Sequence, residues 1–285
     1  MHRFSLLAAA ALLGLAGTAA NAADWSDTAI GVRYGTQFAE PFDNHADGSR
    51  VNIKKTIISL THSSGYKYGT NFFNADLLMS DHNDPAFSNT GGPESTGARE
   101  AYIVYRNMLD IGKVMGKDLK MGPIRGYGMT AGFDWNTKND SYASKKQMLV
   151  IGPTLQFDVP GFANLSALAF RESNAPTGVS RYYYKTHGAL ELDWGVGIGA
   201  LPLSFNGYAL WIASKGQNEF GGGTAPETHL DMTLMYDVGL VAGLGKHVAL
   251  IGVEYEYWHN KFGNPDVNNK GATASTPMIR AEYHF

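Results

Sequence analysis

The sequence predicts an all-β protein, a transmembrane antiparallel β-barrel of twelve strands with both termini in the periplasm. Three observations support this prediction: an N-terminal export signal, the lack of any later apolar run long enough for a spanning helix, and repeated segments of about ten residues that alternate between apolar and polar side chains. Alternation of this length, broken by polar turns, is typical of outer-membrane barrels.

The first residues have the features of a secretory signal peptide. Arg3 precedes an apolar stretch over residues 4–20, and the small residues Ala20-Asn21-Ala22 form an A-x-A cleavage site. We therefore expect residues 1–22 to be removed and residues 23–285 to form one barrel domain. Beyond the signal, no run approaches the ~18 consecutive apolar residues of a spanning helix, so a membrane location requires strands.

The composition agrees with strands that face lipid on one side and water on the other. The chain has 34 Gly, 15 Tyr, 14 Phe and 5 Trp, with 17% charged residues. It has no cysteine, which excludes disulfides and thiol chemistry. Removing the signal leaves 22 basic and 26 acidic residues, a net charge of −4, so we expect no nucleic acid polymer as a partner.

The clearest alternating segment is 125–135, in which Tyr127, Met129 and Phe133 share one face while Thr130 and Asp134 share the other. The same period of two defines five further strong strands and six weaker ones. The strong strands are 125–135, 147–158, 182–194, 228–238, 249–257 and 276–285, and the weaker ones are 28–38, 51–61, 67–80, 98–107, 163–173 and 203–215. Twelve is an even number, as single-chain bacterial barrels have.

The connections between these strands alternate in length, as expected for long external loops and short periplasmic turns. The long ones are polar and cover 39–50, 81–97, 137–145, 174–181, 216–226 and 260–273. The intervening connections include tight turns predicted at 62–65 and 158–161. Residues 108–121 are long yet lie on the periplasmic side, and we predict a short amphipathic turn or small helix there.

If the apolar face of each strand meets lipid, the polar face lines a lumen that is the candidate substrate pathway. We assign residues to this lining by parity, that is, by whether they fall on the odd or the even positions that make up the polar face of a strand. The lining then includes Arg33, Phe72, Asn74, Asp76, Glu100, Arg106, Asp134, Lys185, His187, Glu191, Asp193, His229, Asp231, Glu254, Glu256, Arg280 and Glu282. Such a lining suits an uncharged or zwitterionic solute. The alternative is that these charges only pair with one another, because buried charges need partners whatever the function.

Aromatic residues that face the lumen would indicate a solute with a planar ring, because such rings stack on aromatic side chains. Parity gives Phe72, Tyr102, Tyr208 and Trp258 as candidates, with simple packing as the alternative role. No catalytic residue, metal ligand or cofactor is expected.

Residues 57–81, IISLTHSSGYKYGTNFFNADLLMSD, resemble the family of nucleoside-specific channel-forming outer-membrane proteins, the Tsx-like channels. The block 62–81 is the most distinctive part, and Gly132-Phe133-Asp134-Trp135 and the terminal Tyr283-His284-Phe285 are in keeping with it. The resemblance implies a monomeric twelve-stranded barrel that passes nucleosides through the outer membrane. The final Phe also resembles the signal that the barrel-assembly machinery reads, which makes that machinery, the lipid bilayer and small hydrophilic solutes the expected partners.

Two other function classes stay open. The first is a plugged structural or adhesive barrel whose external loops bind a partner. The second is an outer-membrane lipid hydrolase, because His62-Ser63-Ser64 contains a His-x-Ser pair. The predicted position of His62 at a periplasmic turn, and the lack of an assignable group to orient it, argue against an enzyme.

Overall fold

The computed structural model describes residues 23–88, 91–267 and 269–285, so the predicted signal peptide lies outside the described residues. The strands are β1 (Trp25–Phe38), β2 (Ile53–Tyr66), β3 (Gly69–Ser80), β4 (Pro85–Ser88), β5 (Gly92–Gly97), β6 (Arg99–Asp110), β7 (Ile124–Lys138), β8 (Lys145–Phe157), β9 (Phe162–Asn174), β10 (Tyr182–Tyr183), β11 (His187–Gly197), β12 (Leu203–Ile212), β13 (Glu227–Asp237), β14 (Ala249–His259) and β15 (Ala274–His284). Two short α-helices, α1 (Ile111–Met115) and α2 (Val238–Ala242), and 3-10 turns at Lys261–Gly263 and Lys270–Ala272 complete the described elements.

Twelve of these strands close into one antiparallel barrel. Each pairs with its neighbours in chain order, β8 pairs with β9, and β15 pairs with β1 to close the ring. The two-residue β10 pairs with the end of β9, and β4 and β5 form a separate hairpin. The pairing confirms the predicted closed antiparallel barrel of twelve strands. We call the rim that carries both chain ends the terminus end and the opposite rim the loop end.

The predicted alternation sets which side chains face the interior. In β7, Thr130, Asp134 and Asn136 are buried, while Met129 and Phe133 are exposed on the outside. Successive side chains of a strand point to opposite faces, so one local pattern fixes both surfaces of the wall.

Several predicted boundaries were wrong. Residues 62–65 continue β2, and the turn lies at Lys67 and Tyr68, because pairing with both β1 and β3 extends this strand beyond its alternating part. The predicted strand 182–194 is broken between β10 and β11. The predicted strand 203–215 ends at Ile212, where the chain turns into the loop.

Connections at the loop end are mostly long, and those at the terminus end include short turns at 67–68, 158–161 and 198–202. The small helix predicted within 108–121 is confirmed as α1, capped by the Asp110 side chain and ended by the left-handed Gly116. The second helix at this end, α2, was not predicted. None of the described helices is long and apolar enough to cross a membrane.

The interior holds two apolar clusters formed by inward side chains. One consists of Met148, Val150, Leu168, Phe170, Ala189 and Ile212, and the other of Phe38, Ile53, Ile57 and Met278. These clusters fill part of the barrel between β8 and β12 and beside β1 and β2. The polar part of the interior is therefore narrower than the ring of strands.

Candidate functional site: the barrel lumen

Glu254 is the centre of a charged cluster in the lumen, which we call the Glu254 cluster. Its two carboxylate oxygens each accept a hydrogen bond of 2.8 Å, one from Arg33 and one from Arg280. Arg33 also contacts Asp76 at 2.5 Å, and Arg280 contacts Glu282 at 2.6 Å. Glu254 is only 2% exposed. The closed topology brings these five residues together from β14, β1, β15 and β3.

A second charged group lies on β6, β7 and β11. Arg106 donates to Asp134 at 2.5 Å and lies 3.7 Å from a Glu191 oxygen. The Tyr102 hydroxyl donates to Asp134 at 3.1 Å, so this inward aromatic is tied to the charged group. Both charged groups have strong pairing, as the alternative interpretation of the sequence expects.

His229 belongs to an aromatic group near the loop end. Its ring stacks on Trp258 with centroids 3.8 Å apart, and its Nε2 lies 3.6 Å from Glu256. The Lys261 ammonium lies 4.7 Å from the Trp258 ring centroid, and Tyr208 meets His229 edge-on. Since Trp258 is already covered by His229 and Lys261, it offers little free ring surface to a solute.

Three further predicted residues face the interior on separate strands. The Asn74 amide oxygen accepts a hydrogen bond from Thr61 at 2.8 Å, and Asp193 accepts one from Asn164 at 2.9 Å. Asp231 is buried on β13, directly across from Glu256 in the register with β14.

Phe72 differs from the other inward aromatics in its exposure. It lies opposite Ser63 and Arg106 in the strand register, which directs it inward, yet it is 41% exposed. Its ring surface is therefore accessible from within the barrel.

The predicted lumen position of Lys185 is wrong. The chain leaves the sheet between Tyr183 and His187, so the alternation of inward and outward side chains does not continue from β10 to β11. The Lys185 side chain is exposed. In the predicted strand 182–194, Tyr184 alternates with Lys185 and would therefore face outward, but it is buried and donates a hydrogen bond of 2.6 Å to Glu219. His187 follows the parity of β11 and lies 3.9 Å from Glu172.

Loops fold over the loop end and place charged groups inside it. Glu40 accepts hydrogen bonds from Lys55 at 2.5 Å and from Lys261 at 3.2 Å, and Lys138 lies 3.6 Å away. We call the connected charged residues here the mouth network; it comprises Glu40, Lys55, Asp84, Glu100, Lys138, Asp140 and Lys261. Beside it, Glu172 binds Lys215 at 2.9 Å and Lys146 at 3.4 Å.

Glu40 is held in its charged form. Burial by itself would raise the pKa of this carboxyl, but the ammonium groups of Lys138, Lys261 and Lys55 outweigh it and hold the pKa well below its usual value. Glu40 thus remains ionised and paired with these lysines at neutral pH.

Asp43, in the same loop, has the opposite shift. Partial burial and the nearby Asp84 and Glu40 carboxylates raise its pKa from 3.8 to about 6. Because the pKa is higher in the folded loop than in an unfolded chain, ionisation of Asp43 destabilises the folded conformation of the loop. The loop should therefore be most stable below pH 4 and lose stability as the pH rises through 6. We expect limited proteolysis within 39–52 to be faster at pH 7.5 than at pH 5.

The matched variant for that prediction is Asp43→Asn, which cannot ionise. Its cleavage rate in 39–52 should be slower than that of the natural chain at pH 7.5 and should show little change between the two pH values. An unchanged pH dependence in this variant, after correction for the protease's own profile, would assign the effect to another group.

Some members of the lumen lining could have been found from sequence and others could not. Lys138 and Lys146 lie on the inward face just outside the predicted strands 125–135 and 147–158, so longer strand assignments would have included them. Lys55 and Glu172 lie within the predicted strands 51–61 and 163–173, and the alternation along those strands already directs them inward. In contrast, Glu40, Lys215 and Lys261 lie in loops, where no periodic pattern shows which side chain turns inward.

Several interior polar atoms have no protein partner. Among the described residues, these include Nε of Arg33 and Arg106, Oγ of Ser59, Oδ1 of Asp76 and Oδ1 of Asn164. Buried polar atoms are nearly always hydrogen-bonded, to water if not to protein. These atoms therefore have unused hydrogen-bonding capacity inside the barrel.

The outer surface of the barrel is apolar. Large exposed side chains cover it on both sides of the closing β1–β15 pair and around the ring, including Ile30, Val32, Ile58, Leu77, Phe133, Leu149, Ile151, Leu190, Trp211, Ile251, Val253 and Ile279. A closed sheet has no unpaired edge in the wall, and such a surface is stable only against lipid. The chain is an outer-membrane β-barrel.

His62 and Ser64 lie on this outer face of β2, and not at a turn as predicted. The His62 Nδ1 is hydrogen-bonded to the Thr28 hydroxyl at 2.8 Å, and the Asn71 amide donates to the Ser64 hydroxyl at 3.5 Å. Each side chain thus has its own partner on a neighbouring strand. This pairing differs from a base that receives a proton from its nucleophile.

The sequence matches no family model and no curated protein. Among solved structures, the barrel is similar to the KdgM porin, with 8% identity, a TM-score of 0.41, and 90% of this chain and 99% of that chain covered. It is also similar to the translocator domain of the autotransporter NalP from Neisseria meningitidis, with 10% identity, a TM-score of 0.45, and 99% and 98% covered. The β domain of the Bordetella autotransporter BrkA gives 11% identity, a TM-score of 0.41, and 92% and 99% covered.

Proposed function

We propose that this protein is a monomeric outer-membrane diffusion channel for small hydrophilic solutes, with nucleosides as the solute class and no catalytic step. The observation that supports it most strongly is the interior of the barrel, which is lined by charged and polar side chains from strands around the ring. The nucleoside assignment rests on the sequence block 62–81. The long connections lie outside the cell and the termini in the periplasm, reached after removal of residues 1–22 and insertion by the barrel-assembly machinery.

A second candidate is a plugged structural or adhesive barrel. It is favoured by the extensive ion pairing of the Glu254 cluster and the mouth network, and by the apolar clusters inside the barrel. Such a barrel would expose its loops to a partner and conduct no ions.

Planar-bilayer recording with the purified full chain separates these candidates. Stepwise ion conductance that adenosine or thymidine reduces supports the proposal. Conductance that other small solutes reduce, while nucleosides do not, would leave a channel with a different substrate. A barrel that inserts without conductance, as verified by its heat-dependent mobility on gels, would support the plugged form.

Phe72 gives a residue-level test of nucleoside passage. Its exposed inward ring can stack on a base, and stacking contributes roughly 1 to 3 kcal/mol per base. We expect Phe72→Ala to raise the nucleoside concentration that half-blocks the current by a factor of about 5 or more.

The adjacent Phe73 is a matched control because it has the same chemistry and faces the other side of the wall. Phe73→Ala should leave the half-blocking concentration unchanged. Equal effects of the two variants would show that the loss reflects a damaged barrel and not a lost stacking surface.

A further inference from the structure

A shallow groove of about 440 Å³ lies on the outer surface of the wall across β8, β9, β11 and β12. Its floor consists of the small outward residues Ala167, Ala169 and Gly188. Larger apolar side chains border it, namely Ile151 and Pro153 on one side and Leu190 and Trp211 on the other. Its lining is apolar.

The loop-end side of this groove is positively charged. Arg171 lies two residues beyond Ala169 on the same face of β9, about 7 Å along the strand, and it is exposed beside the Tyr183 ring. Lys145 is exposed on the neighbouring β8, and Arg181 donates to the Ser173 hydroxyl at 3.0 Å. Glu172, the acid in this stretch of β9, points inward and is paired with Lys215 and Lys146.

Toward the terminus end, the outward positions of the same strands are apolar, including Leu155, Leu165 and Leu192. An amphiphile that matches this surface has an anionic group at the cationic rim and an acyl chain in the groove. The two parts must be joined over a short distance, because Arg171 adjoins the groove floor.

We propose that this groove and its rim of Lys145, Arg171 and Arg181 bind a phosphorylated, acylated glycolipid of the external leaflet, of the lipid A type. One acyl chain occupies the groove, and a phosphate contacts the Arg171 guanidinium. Arginine is suited to this role because its planar donors match phosphate oxygens in pairs. The proposal rests on the orientation with the loop end outside, and it is independent of what passes through the lumen.

The test is native mass spectrometry of the purified full chain in detergent, titrated with lipid A, with lipid A from which the phosphates have been removed, and with phosphatidylglycerol. Lipid A should bind most tightly. Arg171→Glu and Ala169→Leu should each weaken its binding by about tenfold, the first by repelling phosphate and the second by filling the groove.

Lys54→Glu is the matched control, because Lys54 is also an outward, exposed cation near the loop end but lies on β2, away from the groove. It should bind lipid A as the natural chain does. Heat-dependent gel mobility should show that all three variants form the barrel.

The proposal would be overturned if Arg171→Glu bound lipid A as tightly as the natural chain does. It would also be overturned if the natural chain bound dephosphorylated lipid A as tightly as lipid A itself. Phosphatidylglycerol binding that is as tight and as sensitive to both variants would also overturn it, in favour of a general anionic-lipid site. A dimer that Ala169→Leu dissociates would assign the groove to a second copy of the chain. Channel recordings are unaffected by these outcomes, so the proposed function is tested separately.

Discussion

Glu254→Gln is expected to lower the free energy of unfolding by about 3 to 5 kcal/mol, as breaking a buried ion pair does. The Glu254 carboxylate is the shared partner of Arg33 and Arg280, with one oxygen for each guanidinium. A neutral amide removes the compensating charge and turns one N–H donor toward an arginine. Urea unfolding in lipid vesicles, followed by tryptophan fluorescence, measures the change.

Two comparisons make the result specific to that site. Glu282→Gln removes a carboxylate that contacts Arg280 but not Arg33, so its effect should be smaller. Glu94→Gln changes an exposed acid in the β5 hairpin and should alter the stability by less than about 0.5 kcal/mol. If all three substitutions have the same effect, then the cluster does not hold the wall together in the manner described.

Glu40→Ala is expected to open the loop end and at least about double the single-channel conductance, because the buried Glu40 carboxylate ties a loop over this end of the barrel to the wall. Glu40 contacts Lys55, Lys138 and Lys261, and so joins two strands of the wall to the 260–273 loop. Without it, three ammonium groups face one another with fewer counter-charges. The released loop should also be cut faster by protease, and the current should shift toward anions.

Glu94→Ala again provides an exposed loop carboxylate for comparison and should leave conductance and ion preference unchanged. A Glu40→Gln variant separates charge from size, because it keeps the volume and loses only the carboxylate. If both Glu40 variants retain the natural conductance, the mouth network does not restrict the pathway.

The sequence alone determined the wall of this protein. Alternation is a local property, since a period of two places every second side chain on one face, and this period by itself assigns residues such as Met129, Phe133 and Asp134 to their faces. The twelve strands and the α1 turn followed from the same pattern and its interruptions. The extent of β2 and the break at Tyr184–Thr186 did not, because pairing with neighbouring strands decided both.

The tertiary structure alone decided how the interior is organised. Arg33 and Glu254 are 221 positions apart in sequence, and no local pattern in either segment identifies the other as its partner. Ring closure brings β1 beside β15, and only then do the inward charges acquire partners. Glu40 and Lys261 turn inward from loops, which have no periodic pattern that could predict it. Their charges can be buried because each is compensated by ion pairs with residues far away in the sequence.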